Sequence, residues 1–426
     1  MLQRVLNMFR VADLRGKILF SLLVIAIYRL GAFVPAPGVD VEAVQLLRDQ
    51  ANQGGILGFV QLFSGGALTQ FSVFALGIMP YITASIIMQI LGVVIPKIEQ
   101  WQQQGAIGQR KITQWTRYLT ISIAVVQSTS FAFLFHSGGL VGTIDLLPEF
   151  NAWTVFVVVL TLTTGTALLM WMGELITQRG IGNGMSLLIF TSVVSTLPAQ
   201  GSLVQAENGA VALIILILVA IALLVGIVFV EQGQRRIPVQ FAKRVVGKRM
   251  YGGQSTYIPL KVNQSGVIPV IFASSMLYLP TLAASITGWE PLVNFNARYL
   301  EQGITWVYIA LFASMTIFFT YFYSAITFNP VEVADNMKRY GGFVPGIRPG
   351  TATAEYLDRV LTRITLPGSL YLTVVAIIPF IALAVFDIQA FPLGGVGLLI
   401  MVGVALQTMQ QVESQLMQRN YEGFLT

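Results

Sequence analysis

The side chains that most often do chemistry are few in this chain, and none is spaced to work with another. His136 is the single histidine and there is no cysteine, which excludes disulfides and cysteine-based metal sites. No His-Glu-x-x-His zinc sequence and no pair of mid-span aspartates occurs. Ser186 has no nearby histidine or lysine to take its proton. No Gly-x-x-x-x-Gly-Lys-Ser/Thr nucleotide loop is present. The chain therefore reads as a non-enzyme without a cofactor, and any energy source has to come from a partner. Ionisable groups inside a membrane mark proton relays and ion sites, and the long apolar runs here are nearly free of them. His136 ends one such run and reads as interfacial. Glu174 and Asp387 lie at run ends, and Arg29 is close enough to an end to snorkel.

The elements around these residues are apolar segments of membrane-spanning length. The chain is 55% apolar and only 10% charged, where soluble proteins carry about 25% charged residues. A hydrocarbon core of about 30 Å needs roughly 20 apolar residues in a helix. Ten such spans are expected, near 18–34, 71–95, 117–136, 152–173, 184–198, 210–230, 266–286, 304–328, 366–386 and 393–412. Of the 25 Lys and Arg residues, 22 fall in alternate gaps or in the two terminal segments. Lys and Arg bias sets orientation, so that side is cytoplasmic and both termini lie inside. A multi-pass protein of the cytoplasmic (inner) membrane is the expected class, with no cleavable signal peptide visible. Residues 2–13 carry Leu2, Val5, Leu6 and Phe9 on one face and read as an interfacial helix.

Two nine-residue stretches resemble each other across the chain. Gly77-Ile78-Met79-Pro80-Tyr81-Ile82-Thr83-Ala84-Ser85 shares Gly, Pro, Ile, Ala and Ser with Gly266-Val267-Ile268-Pro269-Val270-Ile271-Phe272-Ala273-Ser274. The first lies in span 2 and the second in span 7, which run in opposite directions. Spans 1–5 and 6–10 are therefore expected to be inverted halves built around a central pathway. Pro80 and Pro269 are expected to kink their helices. Between spans 1 and 2, residues 54–70 hold an apolar stretch too short to cross, followed by the flexible Ser64-Gly65-Gly66. It reads as a re-entrant element or as an interfacial loop.

Two long cytoplasmic excursions complete the pattern. Residues 232–265 carry seven basic residues and no acidic one. Ile237, Val239 and Phe241 alternate, as do Thr256, Ile258, Leu260 and Val262, which predicts a hairpin turning near Gly252-Gly253. An all-basic projection suits an acidic protein surface or RNA phosphates. Residues 329–365 include Val344-Pro345-Gly346-Ile347-Arg348-Pro349-Gly350, a turn that presents the Arg348 guanidinium between prolines.

These residues together resemble the SecY family, the central subunit of the bacterial protein translocon, over essentially the whole length. The strongest matches are Phe74-Ala75-Leu76-Gly77-Ile78-Met79-Pro80-Tyr81-Ile82 and Arg179-Gly180-Ile181-Gly182-Asn183-Gly184. The segments Gln254–Asn263, Gly266–Pro269 and Phe343–Gly350 add to them. The resemblance implies an all-α integral membrane protein of ten transmembrane helices in two inverted pseudo-symmetric halves, with a short re-entrant plug helix and a cytoplasmic β-hairpin-like loop. It implies a pore ring of Ile78, Ile82, Met185, Ile189, Ile271 and Ile400. The plug would be built from Ile56, Leu57, Phe59, Val60, Leu62, Phe63, Ser64, Gly65 and Gly66. Gln127, Ser128, Ser274 and Ser275 would line a lateral gate between spans 2 and 3 and spans 7 and 8. Lys243, Arg244, Lys248, Arg249 and Arg348 would dock a ribosome or the SecA motor ATPase. SecE-type and SecG-type small membrane subunits, signal sequences and unfolded polypeptides are the further partners implied, and no cofactor.

The domain layout that follows is a cytoplasmic segment 1–17, an N-terminal half 18–208, a C-terminal half 209–412 and a tail 413–426. The function implied is a protein-conducting channel. The alternative is an ion-coupled secondary transporter of a small solute, which requires coupling-ion ligands at mid-membrane. A third reading is an insertase or scaffold without a through-pore.

Overall fold

Apolar runs that meet no water have to satisfy their own backbone, and here they do so as helices. The computed structural model describes residues 11–40, 64–68, 70–136, 150–241, 244–246, 249–251, 256–287, 289–300, 305–386 and 395–422. The first helices are α1 (Ala12–Gly31), α2 (Met79–Val94), α3 (Pro96–Gln103), α4 (Ala106–His136) and α5 (Ala152–Arg179). The next, α6 (Gly184–Gln232), is broken at Gly209, whose φ of 80° leaves the helical region. Then come the strands β1 (Gln234–Phe241), β2 (Arg244–Val246), β3 (Arg249–Tyr251) and β4 (Thr256–Lys261). They are followed by α7 (Ile268–Thr287) and by α8 (Glu290–Phe295), which runs into a π-helical turn, Asn296–Leu300. The chain continues as α9 (Trp306–Thr327), α10 (Pro330–Arg339), β5 (Gly342–Phe343), α11 (Thr351–Phe386) and α12 (Gly395–Glu422).

Among the described residues, six helices have the length and apolar composition to cross a membrane. They are Ala152–Arg179, Gly184–Ala206, Gly209–Gln232, Trp306–Arg339, Thr351–Ile378 and Val396–Met417. The pair α2 and α3, bent by 100°, makes a seventh if taken as one span. The molecule is a mostly helical, multi-pass membrane protein.

Several boundaries depart from the sequence expectation. Residues 71–78 were expected to be helical, but α2 starts only at Met79. Phe71 (φ 43°) and Gly77 (φ 58°) adopt left-handed conformations. The backbone of this stretch pairs instead with the segment after α1: Val73 N donates to Val34 O (3.0 Å) and Ala36 N to Phe71 O (2.9 Å). Pro80 and Pro269 do not kink their helices. Each is the second residue of its helix, where a missing N–H costs nothing. Two residues ahead of each helix stands a left-handed glycine, Gly77 at φ 58° and Gly266 at φ 61°, so the two matched sequences share one local geometry. The ninth expected span, 366–386, belongs to a helix that already begins at Thr351. Its added turns bury Leu357 and Val360 against the strands. Of the expected interfacial helix 2–13, residues 2–10 lie outside the described residues. Ala12 and Asp13 open α1, where Asp13 pairs with Lys17 at 3.7 Å.

The strands form a small extramembrane unit. β1 pairs antiparallel with β4, with Ile237 opposite Ile258 and Arg235 opposite Leu260. Ile237, Val239 and Leu260 are buried. Between these strands the chain forms a second ribbon, β2 with β3, which the single-hairpin expectation lacked. The expected turn at Gly252-Gly253 lies outside the described residues. β5, from the loop after α10, adds to the far edge of β1 with Gln240 opposite Phe343. Both long loops therefore meet in one sheet, whose apolar side packs on α11 through Val344, Leu357 and Val360.

Glycine sets how closely the helices approach. A side chain at Gly165 of α5 would put its Cβ 1.9 Å from the carbonyl oxygen of Val73, and one at Gly184 would meet the carbonyl of Gly173 at 1.9 Å. Nearby, Arg117 of α4 forms a bidentate pair with Glu174 of α5, Nε donating to Oε1 at 2.8 Å and Nη2 to Oε2. Overpacking at such a contact costs about 1–3 kcal/mol. Gly165→Ala is expected to lower the thermal midpoint of the detergent-solubilised protein by several degrees. Gly226→Ala, which would meet nothing within 4 Å, is expected to leave it unchanged.

Candidate functional site

Helix starts set the positions of the residues expected at the centre of the molecule. Ile78 is the cap residue of α2 and is 1% exposed. Ile82 follows one turn later and is half-buried. α6 is held at its first turn by two side chains. Asn183 Oδ1 accepts from the amides of Met185 (3.1 Å) and Ser186 (3.4 Å), and Thr177 Oγ1 accepts from that of Gly184 (2.9 Å). Such capping is what freed helix-terminal amides require. It fixes Met185 and, one turn on, Ile189, both buried. Gly173 gives Met185 its room, since a Cβ there would lie 2.0 Å from the Met185 sulfur.

The loop leading into α6 is itself held at both sides. The amide of Ile181 donates to Ser21 Oγ of α1 (3.1 Å), and Gly182 lies against Thr408 of α12. Ile271 sits in the first turn of α7, and Ile400 on α12 is 2% exposed. Ile78, Met185, Ile189 and Ile400 lie in the large apolar core that also takes in residues of α1, α5, α9 and α11, and Ile82 and Ile271 are partly buried and pack against it. In general, a ring of aliphatic side chains excludes ions by dewetting and has no fixed polar site at which to hold a passing chain. Aliphatic side chains, Met above all, adapt to what passes.

Of the segment expected to be a plug, Ile56, Leu57, Phe59, Val60, Leu62 and Phe63 lie outside the described residues. Ser64, Gly65 and Gly66 are described, and α1 holds the first two. Tyr28 OH bonds Ser192 Oγ of α6 at 2.6 Å and donates to the Ser64 carbonyl at 3.3 Å. Arg29 Nη1 donates to the Gly65 carbonyl at 2.8 Å, and its guanidinium lies 5.3 Å over the Phe33 ring. Arg29 thus ties the end of α1 to this segment.

The four expected seam residues are buried on two helices that pack together, Gln127 and Ser128 on α4, Ser274 and Ser275 on α7. Their hydroxyls are not all turned to that seam. Ser128 Oγ bonds Thr163 Oγ1 of α5 (3.3 Å) and the Val125 carbonyl. Ser274 Oγ donates to the Val270 carbonyl of its own helix (2.8 Å). Ser275 Oγ is buried without a hydrogen-bond partner among the described residues.

Of the expected docking residues, Lys243 and Lys248 lie outside the described residues. Arg244 and Arg249 face Tyr251 and Val246 in the β2–β3 register. Arg348 is exposed at the tip of a turn closed by Ile347 N to Val344 O (3.0 Å) and by Thr353 Oγ1 to its own carbonyl (2.8 Å). Val344 anchors that turn in the sheet's apolar core.

Comparison with known proteins agrees with this geometry. The SecY family model matches residues 72–409. The protein translocase subunit SecY of Mycobacterium tuberculosis (strain ATCC 25618 / H37Rv) is 52% identical over the full length of both chains. The chain belongs to the SecY family. Among solved structures, one described as a protein-conducting channel matches with a TM-score of 0.66 at 20% identity, covering 94% of this chain and 92% of that one. Sec61 in a canine ribosome–channel complex matches with a TM-score of 0.63, also at 20% identity and the same coverage. At that identity both establish the SecY-like fold and no more.

Two contacts in this SecY-family chain belong to no sequence motif, namely Tyr28–Ser192–Ser64 and Arg117–Glu174. The signal for the first was available, because a tyrosine and an arginine side by side in an apolar run each need an internal partner. A buried hydrogen bond between membrane helices contributes about 0.6 kcal/mol on average and up to about 1.7. In a double-mutant cycle of Tyr28→Phe and Ser192→Ala, the two changes are expected to couple by about 1 kcal/mol, read from denaturation of the purified protein. Simple additivity would separate the two hydroxyls energetically.

Proposed function

We propose that this chain is the channel subunit of a protein translocase. It passes unfolded secretory polypeptides across the cytoplasmic membrane and releases membrane segments sideways into lipid. One observation carries the reading: Ile78, Ile82, Met185, Ile189, Ile271 and Ile400 all lie in, or pack against, the central apolar core, and an aliphatic ring at that place has the chemistry of a seal that opens around chains of any composition. Membership of the SecY family, with full-length relatives named as translocase subunits, supports it over the small-solute transporter.

The finer architecture belongs to the same proposal. Ten spans form two inverted halves, 18–208 and 209–412, flanked by a cytoplasmic segment 1–17 and a tail 413–426, with both termini inside. The shared Gly-x-x-Pro geometry ahead of α2 and α7 and the Lys and Arg bias support this layout. The segment 54–70 serves as the plug, tied to α1 at Ser64 and Gly65. The gate lies where spans 2 and 3 face spans 7 and 8, lined by Gln127, Ser128, Ser274 and Ser275, of which Ser128 is bonded to α5. Lys243, Arg244, Lys248, Arg249 and Arg348 dock the ribosome or the SecA motor. A related fold seated in a ribosome–channel complex supports the first of these partners. SecE-type and SecG-type subunits complete the assembly.

A photo-crosslinking side chain at Ile82, in membranes holding a secretory polypeptide stalled in transit, is expected to react with that polypeptide. The same probe at the lipid-facing Leu218 (62% exposed) is expected not to. Silence at both sites would remove the ring from the pathway. Arg348→Glu reverses the charge on a rigid turn, and is expected to lower motor-driven translocation at least tenfold without changing the thermal midpoint. Normal motor-driven transport would strike Arg348 from the docking surface.

A further inference from the structure

The connection between β4 and α7 is fastened more tightly than a loop at a membrane surface requires. Asn263 is 3% exposed and Ser265 is 2% exposed. Asn263 Nδ2 donates to Glu231 Oε1 at the end of α6 (2.6 Å) and to the Gly266 carbonyl (3.0 Å). Its Oδ1 accepts from Ser265 Oγ (3.2 Å). One amide thus holds the end of α6, the loop and the residue that precedes α7. The backbone adds a second tie, Val262 N to the Gly233 carbonyl at 2.9 Å. From the third side α11 closes in, for a Cβ at Gly368 would lie 2.4 Å from the Val262 carbonyl.

Beyond this knot the chain has one soft position. Gly266 is left-handed at φ 61° with nothing within 4 Å of its missing side chain, and α7 starts at Ile268. A buried group is also left over: Tyr371 OH of α11 has no hydrogen-bond partner among the described residues. It lies within electrostatic reach of the Glu231 carboxylate, as does Lys261. An orphaned buried donor in the field of a carboxylate is an unsatisfied group that a second arrangement would satisfy.

We infer that Asn263, held by Glu231, is a positioning residue for α7: it ties the base of the extramembrane sheet to the helix carrying Ile271, with Gly266 as the joint. When the knot loosens, Tyr371 is the donor that takes over Glu231. Displacement of the sheet by a docked partner is thereby delivered to one wall of the apolar cluster. The inference rests on the channel reading for its consequence, though not for the fastening itself.

The absence of native cysteine makes introduced thiols unique. In the complex with its accessory subunits, reconstituted in vesicles, spin labels at Thr256→Cys on β4 and Met276→Cys on α7 report the tie as a distance distribution. Asn263→Ala and Glu231→Ala are expected to broaden it at least twofold and to slow polypeptide translocation at least fivefold. Glu231→Gln keeps an acceptor for Asn263 and is expected to stay narrow and within twofold of the parent rate. A control pair, Thr256→Cys with Val374→Cys on α11, is expected to stay narrow throughout, which separates loss of the tie from unfolding. Tyr371→Phe is expected to leave the resting distances unchanged and slow translocation at least twofold, and parent-like transport would remove Tyr371 from the scheme. An Asn263→Ala distribution as narrow as the parent's, or a Glu231→Gln distribution as broad as that of Glu231→Ala, would overturn the fastening. A parent protein with narrow distances that moves no polypeptide would instead tell against the channel reading, since the distances do not depend on transport.

Discussion

Inside lipid a backbone has no water to bond, so wherever a helix stops, the freed groups must find partners within the chain. Much of this fold answers that constraint. The stretch before α2 pairs its amides and carbonyls with the segment after α1. The turn into α6 is closed by Asn183, Thr177 and Ser21, and the turn into α7 by Asn263. Within the helices, buried hydroxyls such as those of Thr120, Thr166, Thr316 and Thr373 bond back to the carbonyl four residues earlier, so each is satisfied by its own helix. Glycine then does what side chains cannot. At Gly165, Gly184 and Gly368 one backbone lies directly on another segment's carbonyl.

The parts of the fold that repeat along the chain were legible in the sequence, and the parts that join distant residues were not. Apolar runs and alternating basic gaps announced the helices, because both are periodic signals carried by many residues. Alternation at Ile237, Val239 and at Ile258, Leu260 announced β1 and β4. The start of α2 was misjudged because residues 71–78 are as apolar as the helix after them, and only the left-handed Phe71 and Gly77 mark the break. The start of α11 was misjudged for the opposite reason: its first turns are amphipathic and face a sheet, so hydropathy alone reads them as loop. β5 is two residues long, too short for any period. In the central cluster, the membership of Ile78 or Ile400 came from resemblance to a family. Periodicity makes every isoleucine in a span look alike. The hydroxyl of Tyr28 and the amide of Asn263 act on partners 164 and 32 residues away, and local sequence holds no record of such pairings.

The extramembrane sheet shows how separated loops become one object. β1 has β4 on one side and β5 on the other, so the loop after α10 is completed by a strand laid down about a hundred residues earlier (a connection of high contact order). Val344 and Leu260 share a core with Leu357 of α11. Arg348 therefore keeps a fixed position relative to Arg235 and Arg236, the latter stacked 4.9 Å over Tyr257. The two loops thus present a single surface rather than two tethers.

The helix starts that bring the aliphatic cluster together also give it an electrostatic character that no side chain supplies. α2 begins just after Ile78, α6 just before Met185 and α7 shortly before Ile271. The amino end of a helix carries roughly half a positive charge from its aligned peptide dipoles. Three such ends border an apolar cluster where screening by water is weakest. In the proposed channel, a seal placed there would oppose cations, protons included, by potential as well as by dryness. It would do so without a charged side chain that would later have to release the polypeptide.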